Sequence, residues 1–129
     1  MPNEAINSTD VHVPIGRGYN HAFKCGNTVY TAGQIALDKN GNLVGKGDIS
    51  AQAEQVFSNL QAVLAAAGAS MQDVIKLNMY LTGQADFTKV REVRQRYFTG
   101  EPPAATGVFI AALADPDWLI EIDAIAVIS

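Results

Sequence analysis

The chain has one cysteine, Cys25, and two histidines, His12 and His21, in 129 residues. A single thiol excludes an intramolecular disulfide and a thiolate cluster. The two imidazoles have no ligand spacing, so no metal-binding pattern is present. Charge is sparse: 17% of residues are Asp, Glu, Lys or Arg, and the formal net charge is −4. No basic stripe exists to neutralise phosphates, which disfavours nucleic-acid binding. Basic residues gather at Lys89, Arg91, Arg94 and Arg96. Glu92 interrupts them and helical spacing spreads them around the axis, as on a solvated helix face. No run of about 18 apolar residues occurs, and MPNEAINSTD has neither the basic nor the apolar region of a leader. A soluble cytoplasmic protein that does not engage membranes is expected. The patterns GxGxxG, GxxxxGK[ST] and GxSxG are also missing, and with them the dinucleotide, phosphate-loop and nucleophile-elbow chemistries.

What is present is apolar. Hydrophobic residues make up 48% of the chain, ample for the core of one domain spanning 1–129. A domain this small has difficulty covering so much apolar surface alone, and some of it is expected to be buried between subunits. The first ten residues are polar and read as a loose arm. Tyr19–Lys24 and Thr28–Ile35 read as short strands around a Gly26-Asn27 turn. Asp38-Lys39-Asn40-Gly41 is a second turn, where Asn-Gly suits a type I′ hairpin. From Ile49 to Ala67 apolar residues recur at three and four, the signature of an amphipathic helix. Asp48 can cap its start and Gly68 can close its end.

Val74–Thr82 alternates, with Ile75, Leu77, Met79 and Leu81 on one face and Lys76, Asn78, Tyr80 and Thr82 on the other, a half-buried strand. Asp86–Phe98 reads as a second amphipathic helix, ended by Gly100 and Pro102-Pro103. Thr106–Leu113 is apolar on both faces, so both sides are expected to be buried. Trp118–Ile128 reads as the last strand. The order ββαβαββ, with two helices on one face of a sheet, predicts an α+β sandwich. The other face of that sheet then needs cover, most simply from a second copy of the chain.

Few residues can carry chemistry. Glu121 and Asp123 stand two apart in LIEIDAIAV and project from one face, with Ile120, Ile122 and Ala124 on the other. Two readings fit: a partly desolvated carboxylate poised to accept a proton, or a pair of solvated acids on an edge strand. Tyr19, Asn20 and His21 form a polar cluster after a glycine-rich entry. It is either a substrate-orienting set or a structural one. Cys25, beside Lys24, has no neighbouring base and reads as a structural or incidental thiol. Gly33, inside a strand in TAGQIAL, suggests that something approaches the backbone closely there.

The succession GQI…G…DI.AQ…Q…NL..VL..AG, followed by DFTKV, PPA and IEIDAIAV, resembles the RidA/YjgF family of imine deaminases, also known as the endoribonuclease L-PSP family. The resemblance runs from about Ile15 to Val127. It implies a chorismate-mutase-like α+β fold and a homotrimer whose sheets form a central barrel, with three clefts between subunits. Active members of that family hydrolyse small enamines and imines to keto acids and ammonia, without a cofactor. By resemblance Glu121 positions the attacking water, Tyr19 stands near the cleft mouth, and Gly33 is the glycine of GQI. The family's Pro-Ala-Arg-Ser/Thr motif, whose arginine pairs with the substrate carboxylate, reads Pro103-Ala104-Ala105-Thr106 here, and Gly107 widens the pocket.

The missing arginine leaves two routes to a working site. Arg91, at a helix position that often lines the family's cleft, would supply a cation from another wall. Alternatively, the pocket takes a substrate without that carboxylate, with His21 as an added polar group. Backbone N–H groups near Thr106-Gly107 would stabilise developing negative charge. The resemblance therefore implies a deaminase-type hydrolase of altered range. A trimer of the same fold that binds a ligand or another protein without catalysis is the alternative.

Overall fold

The computed structural model describes residues 2–83 and 85–129. Among these residues six strands form one sheet: β1 (Glu4–Ile6), β2 (Ala22–Cys25), β3 (Thr28–Thr31), β4 (Val74–Thr82), β5 (Ala104–Ile110) and β6 (Ile120–Val127). Their spatial order is β1-β2-β3-β6-β4-β5. Two helices, α1 (Ile49–Ala66) and α2 (Phe87–Tyr97), complete the main elements. Every strand pair is antiparallel except β4 and β5. That pair is parallel because α2 carries the chain back across the sheet between them.

Helix α1 forms where the 3.6-residue pattern predicts it. Asp48 Oδ1 accepts the Ala51 N–H at 3.1 Å, satisfying one of the orphan donors of the first turn. At the other end Gly68 takes φ 82°. Its N–H donates to Ala65 O and the Ala69 N–H to Leu64 O, a Schellman closure that a Cβ would strain. The inner stripe Val56, Phe57, Leu60, Val63 and Leu64 is fully buried and shares one core with Leu77, Met79, Leu81, Ile120 and Ile122 of the sheet. Each such side chain contributes about 1.5–3 kcal/mol of transfer free energy. Helix α2 is tied to α1 by polar contacts and by stacking. Arg96 Nη2 and Tyr97 Oη reach the two carboxylate oxygens of Glu54, each at 2.7 Å, and Tyr97 stacks on Phe57 at 5.4 Å between centroids.

Buried amides on α1 position the loops. Gln52, with no exposed surface, donates to the carbonyls of Gly45 and Asp117 and accepts the Leu119 N–H. It thereby fixes the entry into β6. Asn59 donates to the carbonyls of Ile35 and Leu37 and holds the segment after β3 against the helix. The Gln34 backbone bridges to Ile122 in both directions, at 2.8 and 3.1 Å.

Several expectations from the sequence need correction. The arm is not loose: residues 4–6 pair with Ala22–Lys24 as edge strand β1, while Met1 lies outside the described residues. The pairing adds a strand to the expected ββαβαββ order. Asn7 Oδ1 accepts the His21 N–H and the His21 ring accepts the Ser8 N–H, so the backbone just beyond the pairing is also tied down. The strand read as Tyr19–Lys24 begins at Ala22, and the one read as Thr28–Ile35 ends at Thr31.

Ile75 does not join Leu77, Met79 and Leu81 on the inner face. A register shift between Val74 and Lys76 turns Ile75 outward, 52% exposed, and puts Val74 in the core. The Asp38–Gly41 turn is wider than a two-residue hairpin. Asp38 N–H donates to Asn42 O, and Asp38 Oδ1 accepts the N–H groups of Asn40 and Asn42. Last, the segment Thr106–Leu113 is not buried on both sides. The strand runs from Ala104 to Ile110, lies at the sheet edge and is largely exposed in the single chain, with Phe109 58% exposed.

One titratable group inside this fold sets a pH limit. His12 is 3% exposed, and burial, followed by its neighbour His21, holds its pKa below the ordinary 6.5. The unfolded chain therefore binds more protons than the folded one as the pH falls below about 6.5, and stability is lost in that direction. Chemical denaturation between pH 7.5 and 5.5 should show a falling midpoint, and the slope should flatten in His12→Asn. An unchanged slope in the variant would assign the loss to other groups.

Candidate active site

The two faces of the sheet carry different parts of the site. Residues directly opposite across paired strands share a face. Leu81 faces Ile120 and Met79 faces Ile122, and all four are buried under the helices. Tyr80 opposite Glu121, and Asn78 opposite Asp123, therefore lie on the other, helix-free face. On β5, Ala105 and Gly107 are opposite Leu77 and Met79, which places them on the helix side. Thr106, opposite Asn78, falls on the helix-free face.

Glu121 is the centre of the helix-free face. Its carboxylate lies directly over Gly33. A Cβ built on Gly33 would stand 2.7 Å from Glu121 Cδ and 2.8 Å from Cγ, and closer still to Oε2. The approach that the glycine suggested is therefore made by this glutamate. Gly33 is not among the left-handed glycines, so space and not backbone torsion requires it. Half-burial raises the Glu121 pKa above its ordinary 4.5, and the charge of Asp123 raises it further. Of the two readings offered by the sequence, the structure supports the desolvated carboxylate. Asp123 itself accepts from Asn78 Nδ2 at 2.8 Å.

Tyr80 completes this wall. Its phenol pKa is raised by burial, then by Asp123 and Glu121, so the group stays protonated and can donate. In the sequence Tyr80 falls on the outward face of its strand, with nothing to mark a role for it. The signal is its alternation with the core residues Leu77, Met79 and Leu81 in LNMYLT, which cannot reveal that Glu121 is its cross-strand partner.

Tyr19 lies in the loop before β2, 39% exposed, and its hydroxyl accepts the Ile15 N–H at 3.2 Å. It borders a cavity of about 510 Å³ together with Asn20, His21, Val11, Val13 and Pro14. His21 is 1% exposed and both ring nitrogens are engaged. Nδ1 accepts the Ser8 N–H at 3.1 Å, so the proton is on Nε2, which donates to the His12 carbonyl at 2.7 Å. His21 thus anchors the N-terminal arm and has no nitrogen left for a substrate. Its structural reading holds. Thr106 Oγ1 accepts from Lys76 Nζ at 2.7 Å, which leaves its O–H free to donate.

The helix side carries the second part. Gly107 does not widen the pocket as expected, because helix α2 packs Phe87 into the space it leaves: a Cβ there would lie 2.6 Å from Phe87 Cε2. The Arg91 guanidinium sits over the same ring, 5.5 Å from its centroid, a cation–π contact. Ala105 opens onto a cavity of about 300 Å³ with Arg94, Phe98, Pro102 and Pro103. Cys25 is exposed at the end of β2, away from both groups of residues in the strand order. No group of His, Cys, Asp and Glu suited to a metal ion occurs among the described residues. No helix among them is long and apolar enough to cross a membrane.

A two-helix layer on a mixed sheet with these landmarks defines a known class. Residues 11–128 match the Endoribonuclease L-PSP family, and the chain belongs to it. It is 46% identical to a RutC family protein of Pyrococcus horikoshii, over 95% of this chain and 96% of that protein. It is 36% identical to a 2-iminobutanoate/2-iminopropanoate deaminase of Dermatophagoides farinae, over 98% of each. Its fold is similar to the crystal structure of RidA from the Antarctic bacterium Psychrobacter sp. PAMC 21119, with a TM-score of 0.89 and 37% identity over 97% and 99% of the two chains. The α+β architecture expected from the sequence is therefore the family's.

The Gly33–Glu121 approach is testable by a double-mutant cycle. Gly33→Ala should destabilise by about 1–3 kcal/mol in chemical denaturation, because the added methyl overlaps the carboxylate. In a Glu121→Ala background the same change should cost almost nothing. Equal costs in the two backgrounds would show that the methyl meets some other group.

Proposed function

We propose that the protein is a deaminase-type hydrolase of small imines or enamines. The observation that carries this reading is a half-buried carboxylate, Glu121, of raised pKa and held against Gly33. It belongs to a family that includes an imine deaminase 36% identical to this chain. In the proposed reaction Glu121 takes a proton from water as the water oxygen bonds to the imine carbon, and the C=N electron pair moves to nitrogen. Nitrogen takes up the proton held by Glu121 to give a carbinolamine; the hydroxyl proton then passes to nitrogen, the C–N bond breaks as the C–O bond becomes a carbonyl, and ammonia leaves. Tyr80 and Tyr19 serve as hydrogen-bonding groups near that carbon, and outward N–H groups of edge strand β5 near Thr106-Gly107 receive developing negative charge. The chemistry calls for water and a proton carrier and for no cofactor.

The site is proposed to form between subunits of a homotrimer. Glu121 and Gly33 lie on the helix-free face, whereas Ala105, Gly107 and Arg91 lie on the helix side of the same sheet. One chain cannot bring both groups around one small molecule; the edge of a second copy can. The helix-free face and the sheet edge also leave Tyr30, Ile75, Val108 and Phe109 exposed, apolar surface that a second copy would cover. Glu121, Tyr19, Gly33, Thr106, Gly107 and Ala105 are kept as the proposed site, with Arg91 at its margin.

The replacement of a motif arginine by Ala105 favours a second reading, a ligand-binding trimer that has lost the reaction. The two diverge in a coupled assay of ammonia release from freshly generated 2-iminobutanoate. Turnover should rise with pH through an acid limb whose apparent pKa lies above 4.5, because Glu121 acts in its ionised form. Glu121→Gln should lower the rate on the order of 10²-fold or more without changing the sedimentation mass. Wild-type protein that releases no ammonia above the uncatalysed rate would leave the binding reading standing.

A further inference from the structure

We infer that Arg94, at the floor of the cleft between α2 and the start of β5, is the anion-binding residue of this protein and that the cleft takes a small carboxylate with an apolar body. The inference concerns binding; only the choice of a keto acid as ligand rests on the deaminase reading above.

The cleft has a volume of about 300 Å³, at the small end of ligand pockets. Its walls include the apolar Phe98, Pro102, Pro103 and Ala105 and the polar Gln95, and Arg94 is its charged lining residue. Arg94 is half-buried, yet the hydrogen bond its guanidinium makes among the described residues is to a thioether, Met79 Sδ at 3.8 Å. The two ion pairs found among those residues, Lys46–Asp117 and Arg96–Glu54, do not involve it. Burial holds its pKa below the ordinary range, and the charge of Arg91 adds to the effect. A guanidinium has five donors in a fixed fork that matches a carboxylate. One left half-buried with only a sulfur acceptor is poorly solvated, and an anion in the cleft would relieve it.

Arg91 and Arg96 are less suited to this role, for reasons visible in the fold. Arg91 is exposed and spread over the Phe87 ring. Arg96, on another side of α2, is committed to Glu54. The small side chain at 105 matters as well. Ala105 is on the helix side of β5, opposite Leu77, so a larger residue there would fill the space in front of Arg94. Two prolines, Pro102 and Pro103, limit the backbone of the facing wall and keep the cleft open.

Calorimetric titration of the full-length protein with 2-oxobutanoate and with its uncharged methyl ester tests the assignment. The acid should bind saturably and the ester at least about tenfold more weakly. Arg94→Gln should weaken acid binding about tenfold or more, and Arg94→Lys by less, while Arg96→Gln stays within about twofold of wild type. Should Arg94→Gln fail to fold, Ala105→Phe, on an exposed edge strand, should abolish binding by filling the cleft. Equal affinity for acid and ester, unchanged binding in Arg94→Gln, or no saturation by the acid at tens of millimolar would each overturn the inference. Ammonia release without Arg94-dependent binding sinks this inference alone. Arg94-dependent binding without ammonia release sinks the deaminase reading alone.

Discussion

A missing methyl group organises this molecule. Because Gly33 has no side chain, Glu121 can lie against the backbone of the neighbouring segment, half-buried and with its pKa raised by that burial. Gln34 and Ile122 then exchange two backbone hydrogen bonds, which hold the glycine and the glutamate in that relation. From behind, Asn59 grips the next carbonyls, and Gln52 grips the loop that leads into β6. Polar side chains buried on α1 therefore serve to position the backbone on either side of one carboxylate. A fully satisfied buried amide is worth little net stability, but it specifies one arrangement over its neighbours.

The sheet divides the functional groups by face. Its inner face is covered by α1 and α2 and contributes the core. Its outer face holds an aligned set of polar side chains, with Lys76, Asn78 and Tyr80 on β4 and Glu121 and Asp123 on β6. Parallel pairing of β5 with β4 sends Ala105 and Gly107 toward α2, where Phe87, Arg91 and Arg94 are found. The carboxylate and the arginines are thus insulated from each other within one chain by a layer of Leu77, Met79 and Leu81. Glu121 keeps its raised pKa because no guanidinium among the described residues neutralises it, and Arg94 keeps an open fork because no carboxylate among them reaches it. In the proposed assembly the carboxylate face of one copy would meet the helix side of another.

Local patterns were enough to reveal the helices, the long strands and the family. The helices and strands follow from the three-and-four recurrence in α1, the alternation along β4 and β6, the cap at Asp48 and the glycine at 68, and the family from the resemblance carried by the GQI…AG succession. The same patterns pointed to Gly33 and Glu121, one as a place of close approach and the other as a carboxylate among isoleucines, without linking them. Their contact came only with the packed chain: they stand 88 positions apart (121 minus 33), too far for any local pattern to encode it. Packing likewise spends His21 on anchoring the arm, turns Ile75 outward at a bulge, and opens Arg94 rather than Arg91 beside Ala105. Each of these depends on which strand lies beside which, and strand pairing is set by burial summed over the whole sheet. A side chain's chemistry is written in its own residue, but its neighbours and its access to water are properties of the folded whole.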